Sequence, residues 1–420
     1  MNPQRARLLA GLTLLMGIAL AMAGWAAEVT YQRGLGLEVP LSPPVGEGVA
    51  LGAIHIHTDL SDGGGNLDDV VREASAAGLA FVAVTDHNRR LLPEGVRGVW
   101  RGNVLVIAGE ERSTPEDHLL LLGLEHSPPG QDAPALARQA REGGGLAVVA
   151  HPNHQRRGWK GEWPPGVAAE IWSGDTDLFE EWGRGGGNLW PALFLRVWGP
   201  DLAAAVIHDR PDTSLREWDA YLAKRQVVPG LAGADAHGLK LGSWPILGYR
   251  AEMRQIINYV NLDTPLATDA ETATTSLLTA LAEGQSHILR PSRGVPPRIR
   301  FEAHHPDQGV VPMGQPALFE PGWRLHLDLG SAVANGFWVR VFCDGQPLSR
   351  SDVVGSTWEG EVERPGAYRL EVYPPDDSPR PWLYTQPIYF VAGGGSSIPA
   401  EPLPPLPLGE EDLDSGDIPP

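Results

Sequence analysis

Between Val49 and about Arg290 the chain alternates short apolar runs with longer amphipathic ones, and that rhythm limits its fold more than any other feature. "ALGAIHIH", "AFVAVTD", "VLVIAGE", "HLLLLGL", "LAVVAH", "AAEIWS" and "VVPGLAGADAH" read as strands. "NLDDVVREASAAGL" reads as a helix capped by Asn66 and stopped by Gly78, and "APALARQAREGG", "SLREWDAYLAKR" and "TATTSLLTALAEG" carry the same helical period. Strands alternating with helices predict an α/β fold of parallel βα units, closed into a barrel or wound as an open sheet. Residues 154–200 break the rhythm with tryptophan, glycine and proline and read as a long elaborated loop.

After Arg290 the texture changes. "RIRFEAHH", "WRLHLDLG", "FWVRVFCDGQPL", "STWEGEVERPGAYRLEVY" and "TQPIYFVAG" alternate apolar and polar residues between Gly, Pro and Asp, with no helical period among them. They predict a small antiparallel β-sandwich domain over residues 297–392, with "CDGQ" as a two-residue hairpin turn. Residues 393–420 hold six carboxylates and no basic residue among Gly, Ser and Pro, and read as a disordered tail. At 420 residues and 42% hydrophobic content the chain has material for two cores.

The amino terminus carries Arg5 and Arg7 ahead of an uncharged apolar run from Leu8, with the small-x-small triplet Ala21-Met22-Ala23 near its end. Residues 1–27 are therefore expected to be a signal peptide, and residues 28–48 a linker before the domain at 49–290. Because the uncharged run continues to Ala27, an uncleaved membrane anchor is the alternative. Either way the body of the protein is expected outside the cytoplasm: periplasmic, secreted, or anchored facing outward. A net charge of −19 argues against nucleic acid as a general partner, and contact with a membrane is expected only through the N-terminal segment. The single cysteine, Cys343, excludes an internal disulfide and any thiolate cluster, so a metal site here has to use histidine and carboxylate.

Histidines and acids gather where the strands end. His55 and His57 close the first strand; His87 follows "AFVAVTD", Glu110 and Glu111 follow "VLVIAG", and His151 follows "LAVVA". Asp235 and His237 follow "VVPGLAGA". In parallel βα architectures the C-terminal strand ends converge on one face, so five strand ends deliver imidazole or carboxylate to one place. That convergence predicts a buried metal cluster. Consecutive residues of an extended segment face opposite ways, so only one of Glu110 and Glu111 can join it.

Taken in order, "HIHTDLSDG", "TDHN", "GEERST", "HLLLLGL", "AHP" and "GADAHG" resemble the motifs of the PHP (polymerase and histidinol phosphatase) superfamily, over about residues 51 to 290. The resemblance implies a distorted seven-stranded, TIM-like βα barrel whose C-terminal rim holds two to three divalent metal ions. It implies that His55, His57, Glu111 and Asp235 hold one metal, that Glu111 bridges to a second held by His118 and His151, and that Asp62, His87 and His237 hold a third. Asp62 stands where many members carry histidine. Glu111 is favoured over Glu110, and Asp86 is expected to orient a ligand imidazole.

The chemistry implied is hydrolysis by a metal-bridging hydroxide, with Zn, Mn or Fe suited to such ligands and Asp235 as a possible proton acceptor. Phosphoesters are the default substrate class for the family. Its exported branch, which the Trp-rich loop and terminal "PWLYTQPIY" resemble, acts on carboxylic esters and carbamates. A small-molecule ester is thus the expected partner; an idle barrel acting as a ligand-binding envelope module is the remaining alternative. Arg156, Arg157, Lys160 and His154 in "HPNHQRRGWK" are candidate substrate contacts, with Trp159 and Trp163 either covering the substrate or anchoring the loop. His126, His208, His287, His304, His305 and His326 read as structural or exposed.

Overall fold

The computed structural model describes residues 48–174, 209–238, 240–241, 244–245, 248–330, 336–375 and 380–393, with five residues between 16 and 23. The N-terminal segment at 1–27, the linker at 28–48, the later part of the 154–200 loop with His208, and the tail from 394 lie almost wholly outside the described residues. No helix among the described residues is long and apolar enough to cross a membrane.

The barrel uses β1 (Val49–Ile56), β2 (Phe81–Val84), β4 (Val104–Ser113), β5 (His118–Leu122), β6 (Leu146–Val149), β7 (Ala168–Ser173) and β8 (Gly230–Ala236), with β3 (Gly98–Arg101) paired outside β4. Strand order is β1-β2-β4-β5-β6-β7-β8, and β8 pairs back onto β1, which closes seven strands into a barrel. One expectation needs correcting: β5 runs antiparallel to both neighbours. Only Thr114 to Asp117 separate β4 from β5, far too few residues for the crossover that a parallel pair requires. The reversal carries His118, the first residue of β5, to the same rim as the last residues of the other strands.

Among the described residues, three helices lie outside the barrel strands: α1 (Leu67–Ala76), α2 (Ala133–Glu142) and α3 (Asp212–Ala223). Asn66 caps α1 by accepting from the Asp69 amide, while Asp69 answers on the Asn66 amide. Val70 and Ala74 of α1 pack with Leu51, Val82 and Val106; Leu136 and Ala140 of α2 pack with Leu121 and Val149. Inside the barrel, Ile54, Phe81, Ile107, Leu120, Val148 and Leu231 form a separate core. It is sealed by Leu277, Leu278 and Leu281 of a later helix (Ala270–Ala282). Each such side chain contributes about 1.5–3 kcal/mol by leaving water.

Beyond β8 come the ribbon β9 (Lys240–Leu241) and β10 (Trp244–Pro245), helix α4 (Tyr249–Met253), β11 (Ile257–Asn261), the sealing helix as α5, and β12 (Ser286–Leu289). Ten further strands follow: β13 (Arg300–His305), β14 (Gly309–Pro312), β15 (Pro316–Phe319), β16 (Arg324–Asp328), β17 (Phe337–Cys343), β18 (Gln346–Val353), β19 (Thr357–Glu361), β20 (Gly366–Tyr373), β21 (Leu383–Tyr384) and β22 (Ile388–Ala392). One sheet, β14-β13-β16-β19, is antiparallel throughout. The other is not the free-standing antiparallel layer of a small sandwich: β15 and β22 pair in parallel, and β21 pairs with β12, so the sheet runs through β11 into β1 of the barrel. Pairing β12 with β21 removes an open strand edge. The "CDGQ" turn forms as expected, with Asp344 and Gly345 both at positive φ between β17 and β18.

Buried charges lock this sheet to the barrel. Arg369 of β20 holds Asp219 of α3 at 2.7 and 2.6 Å and Glu371 at 3.0 Å, and Arg210 and Tyr373 complete the coordination of Glu371. Gln386 bonds both the amide and the carbonyl of Gly230 at the start of β8. Removing one partner from a buried ion pair leaves an uncompensated charge. Asp219→Ala is therefore expected to lower unfolding free energy by about 3 kcal/mol with an unchanged denaturant slope. A midpoint equal to that of the parent chain would show that the network contributes nothing to holding the two parts together.

Candidate metal centre

The centre begins with a fault in a strand. Leu51 and Ala53 of β1 face the outer layer and Ile54 faces the barrel interior, so strict alternation would send His55 outward. An extra residue in β1 between Ala53 and Ile56, measured against β2, breaks that alternation, and His55 takes φ 64°. Ile56 then faces outward and both histidines face inward. A matching irregularity in β8 brings Asp235 in at φ 46°, and His151 turns in at φ 28°. Left-handed backbone costs a non-glycine residue about 1–3 kcal/mol and persists only where the surroundings over-determine it. With Asn88 beside His87 at φ 50° and Asp117 beside His118 at φ 152°, five positive-φ residues lie at this end of the barrel.

Glu111 is at the middle. Its neighbour Glu110 faces the outer layer, bonded to Arg112 at 2.5 Å and to Ser127 at 2.6 Å. Glu111 itself is buried, 1% exposed. Its Oε2 lies 3.3 Å from His55 Nε2, 3.3 Å from His57 Nε2 and 2.9 Å from His87 Nδ1. Its Oε1 lies 2.7 Å from His118 Nδ1 and 3.0 Å from His151 Nε2. Asp235 Oδ1 is 3.4 Å from His55 Nε2 and 3.3 Å from His57 Nε2. Nearer the mouth, Asp62, 48% exposed, places Oδ2 3.4 Å from His87 Nε2 and 3.5 Å from His237 Nε2. All nine residues named for metal binding thus come together, in overlapping groups with donor atoms close enough to hold ions.

The donors fit divalent metal. A four-coordinate ion with bonds of about 2.0–2.1 Å separates its ligand atoms by about 3.3–3.4 Å. His55 Nε2, His57 Nε2, Glu111 Oε2 and Asp235 Oδ1 show that spacing on the four edges given above. His55 Nε2, His57 Nε2 and Glu111 Oε2 are buried with no hydrogen-bond partner, which costs free energy unless a cation satisfies them. The opposite nitrogens are already committed. His55 Nδ1 meets Glu170 at 2.8 Å, His151 Nδ1 meets the Arg157 carbonyl at 3.1 Å, and His237 Nδ1 meets the Asp235 carbonyl at 2.9 Å. An imidazole whose Nδ1–H donates to oxygen presents Nε2 as a ligand.

Glu170 went unremarked in the sequence. It is fully buried on β7, bonds His55, and accepts from the His151 amide at 2.7 Å. Gly233 makes room for it, since a Cβ there would strike the carboxylate. The signal was present as the lone acid in "VAAEIWS". Asp86, expected on an imidazole, instead holds the turn after β1, taking bonds from the Thr58 amide and the Thr58 and Ser61 hydroxyls. His154 caps its own turn by accepting from the amides of Arg156 and Arg157. Arg156, Arg157 and Lys160 are exposed, while Trp159 and Trp163 are buried anchors, Trp163 stacking on Tyr221. Of the remaining histidines, His126 is exposed beside Glu94, buried His287 is pushed down to about 3 by desolvation, and His304, His305 and His326 lie on β13 and β16.

No family model matches the chain, and no curated protein is detectably similar to it. Among solved structures, the chain is similar to a two-domain protein from Bacteroides vulgatus described as containing a predicted PHP-like metal-dependent phosphoesterase. The identity is 12% and the TM-score 0.39, over 84% of this chain and 98% of that one. A likeness that distant carries no argument, and the centre stands on its own geometry.

Proton balance supplies a test. The carboxylates of Asp62 and Glu111 beside it hold the His87 imidazole up to about 10. Burial opposes charge on His151 and His237, yet Glu111 and Asp62 respectively raise them to about 9. Burial likewise opposes charge on Asp235, but His55 and His57 hold it low; bonds from His237 and His87 hold Asp62 low. Stability from the raised imidazoles is fully present below about pH 6.5 and is lost as pH rises through about 9–10. Stability from the depressed carboxylates is present above about pH 4 and is lost on acidification. Divalent ions must displace the imidazole protons. The rise in melting temperature that Zn²⁺ or Mn²⁺ gives chelator-treated protein is therefore expected to grow between about pH 6 and pH 9. A gain that is flat or shrinks over that interval would place the ions elsewhere.

Proposed function

We propose that this chain is an exported metal-dependent hydrolase of the PHP type, and that its substrates are small-molecule phosphoesters. One observation carries the reading: eight side chains from six segments of a closed barrel gather around buried Glu111, with unsatisfied donor atoms spaced as a divalent ion requires. The order of the sequence motifs supports the family, and the positive n-region before an apolar run supports export. Exposed Arg156 and Arg157 follow His151 in the loop after β6, and Arg89, bonded through Nη1 to the Leu60 carbonyl at 3.3 Å, sits beside the Asp62 loop. Cations there favour an anionic group in a chain of net charge −19.

His55, His57, Glu111 and Asp235 would hold a first ion, Glu111, His118 and His151 a second, and Asp62, His87 and His237 a third. Bound divalent ions supply Lewis acidity and make water acidic enough to act as a nucleophile near neutral pH. The chain's residues set the geometry. Glu170 and the Arg157 carbonyl hold the rings of His55 and His151 with Nε2 directed at Glu111. Glu111 and Asp235 offset the mutual repulsion of closely spaced cations. Asp235, the second buried carboxylate of the deep group, is the side chain assigned to accept a proton. The exposure of Asp62 leaves the third group open toward solvent.

The test is turnover by metal-reconstituted protein on phosphomonoesters, phosphodiesters, aryl carboxylic esters and carbamates. The expected result is phosphoester hydrolysis that Glu111→Gln lowers by about 10³-fold or more, with ions bound far more weakly. Glu110→Gln, on the outer face, is expected to leave the rate within a few-fold. Preferential turnover of carboxylic esters or carbamates would replace the substrate class while keeping the centre. No turnover of any class, with ions bound, would make the barrel a ligand-binding module.

A further inference from the structure

The second ion group has a neighbour that the sequence motifs did not include. Asp117 immediately precedes His118, and its Oδ1 lies 3.6 Å from His118 Nδ1, too far for a hydrogen bond but close to the separation of two ligands on one ion. His118 Nδ1 is in turn 3.3 Å from His151 Nε2, and the three side chains offer donor atoms near enough together to hold an ion. Asp117 Oδ1 is buried and accepts no hydrogen bond, although a carboxylate oxygen removed from water needs a donor or a cation.

The backbone keeps the carboxylate there. The Thr114 amide and hydroxyl both donate to the Asp117 carbonyl, at 2.7 and 2.8 Å, and the Asp117 amide donates to the Thr114 hydroxyl at 3.2 Å. The Lys160 amide donates to the Glu116 carbonyl at 2.9 Å, tying this turn to the loop that follows His151. The same tight turn forces β5 to run antiparallel. It therefore delivers Asp117 and His118 to the rim as a pair.

We infer that Asp117 is a further ligand of the second ion, so that His118 Nδ1, His151 Nε2, Glu111 Oε1 and Asp117 Oδ1 form its donor set. The inference rests on the metal-centre reading above and narrows it. With two imidazoles and two carboxylates, the second group has as many protein donors as the deep group around His55.

The experiment uses the full chain, stripped with chelator and titrated with Zn²⁺ and, separately, with Co²⁺, whose visible absorption reports its donor set. Asp117→Asn keeps size and shape, and its melting temperature without metal checks the fold. The expected result is that Asp117→Asn loses about ten- to a hundredfold in affinity for one ion while the others bind as in the parent. The Co²⁺ band should shift, and Asp117→Glu should recover part of both. Unchanged affinities and an unchanged Co²⁺ spectrum in Asp117→Asn would overturn the inference while leaving the centre intact. A parent chain that binds no ion would overturn the centre and the inference together. If Asp117→Asn fails to fold, Asp117→Glu serves alone: an altered Co²⁺ band with retained stoichiometry supports the role, and an unaltered one removes it.

Discussion

One buried carboxylate organises this molecule. Glu111 lies within 3.3 Å of nitrogen atoms on five imidazoles drawn from four different segments of the chain. A carboxylate so far from water is costly unless it is paired or coordinates a cation. Burial would raise its proton affinity, but His55, His118 and His151 hold it well below the usual carboxylate range. The rest of the rim consists of groups whose charge or donor direction is useful only with that carboxylate ionised. The irregularity at His55 and the left-handed backbone at His151 and Asp235 are the cost of aiming three segments at one point.

Depth grades the chemistry. His55, His57, Glu111 and Asp235 are buried, while His87, His118 and His237 are partly open and Asp62 is about half exposed. The cluster is most open to solvent on the Asp62 side. The closed floor beneath is apolar, with Ile54, Ile107 and Leu231 under the ligands and α5 sealing the far end. A low-dielectric floor under a charged rim strengthens each electrostatic interaction there. The C-terminal sheet reaches this arrangement from outside: it joins the barrel at β12 and grips the start of β8, the strand that carries Asp235.

Much of this was legible in the sequence because strand ends in βα folds converge, so position along the chain stood in for position in space. His57, Asp235, His87 and His151 could be placed by that rule alone. His118 could not, since it opens its strand; the four residues between β4 and β5 were the overlooked sign of reversal. The inward turn of His55 depends on an irregularity that alternation does not announce. Glu170 was hidden inside a strand rather than at its end, where no convergence argument looks. Buried Trp159 and Trp163 resemble, as sequence, a substrate-covering pair; only packing against Tyr221 and its neighbours shows them to be anchors. Sheet continuity between β12 and β21 joins segments almost one hundred residues apart, and no local pattern encodes it.

The central claim is that the cluster is a metal centre rather than a network of hydrogen-bonded imidazolium and carboxylate groups. Anomalous X-ray diffraction from crystals of the zinc-loaded protein, recorded on both sides of the zinc edge, tests it most directly. The account predicts a peak about 2.0–2.2 Å from His55 Nε2, His57 Nε2, Glu111 Oε2 and Asp235 Oδ1, with at least one more beside His118 and His151. Absence of anomalous density from the cluster, with the imidazoles at hydrogen-bonding distance from Glu111 and Asp235, would contradict it.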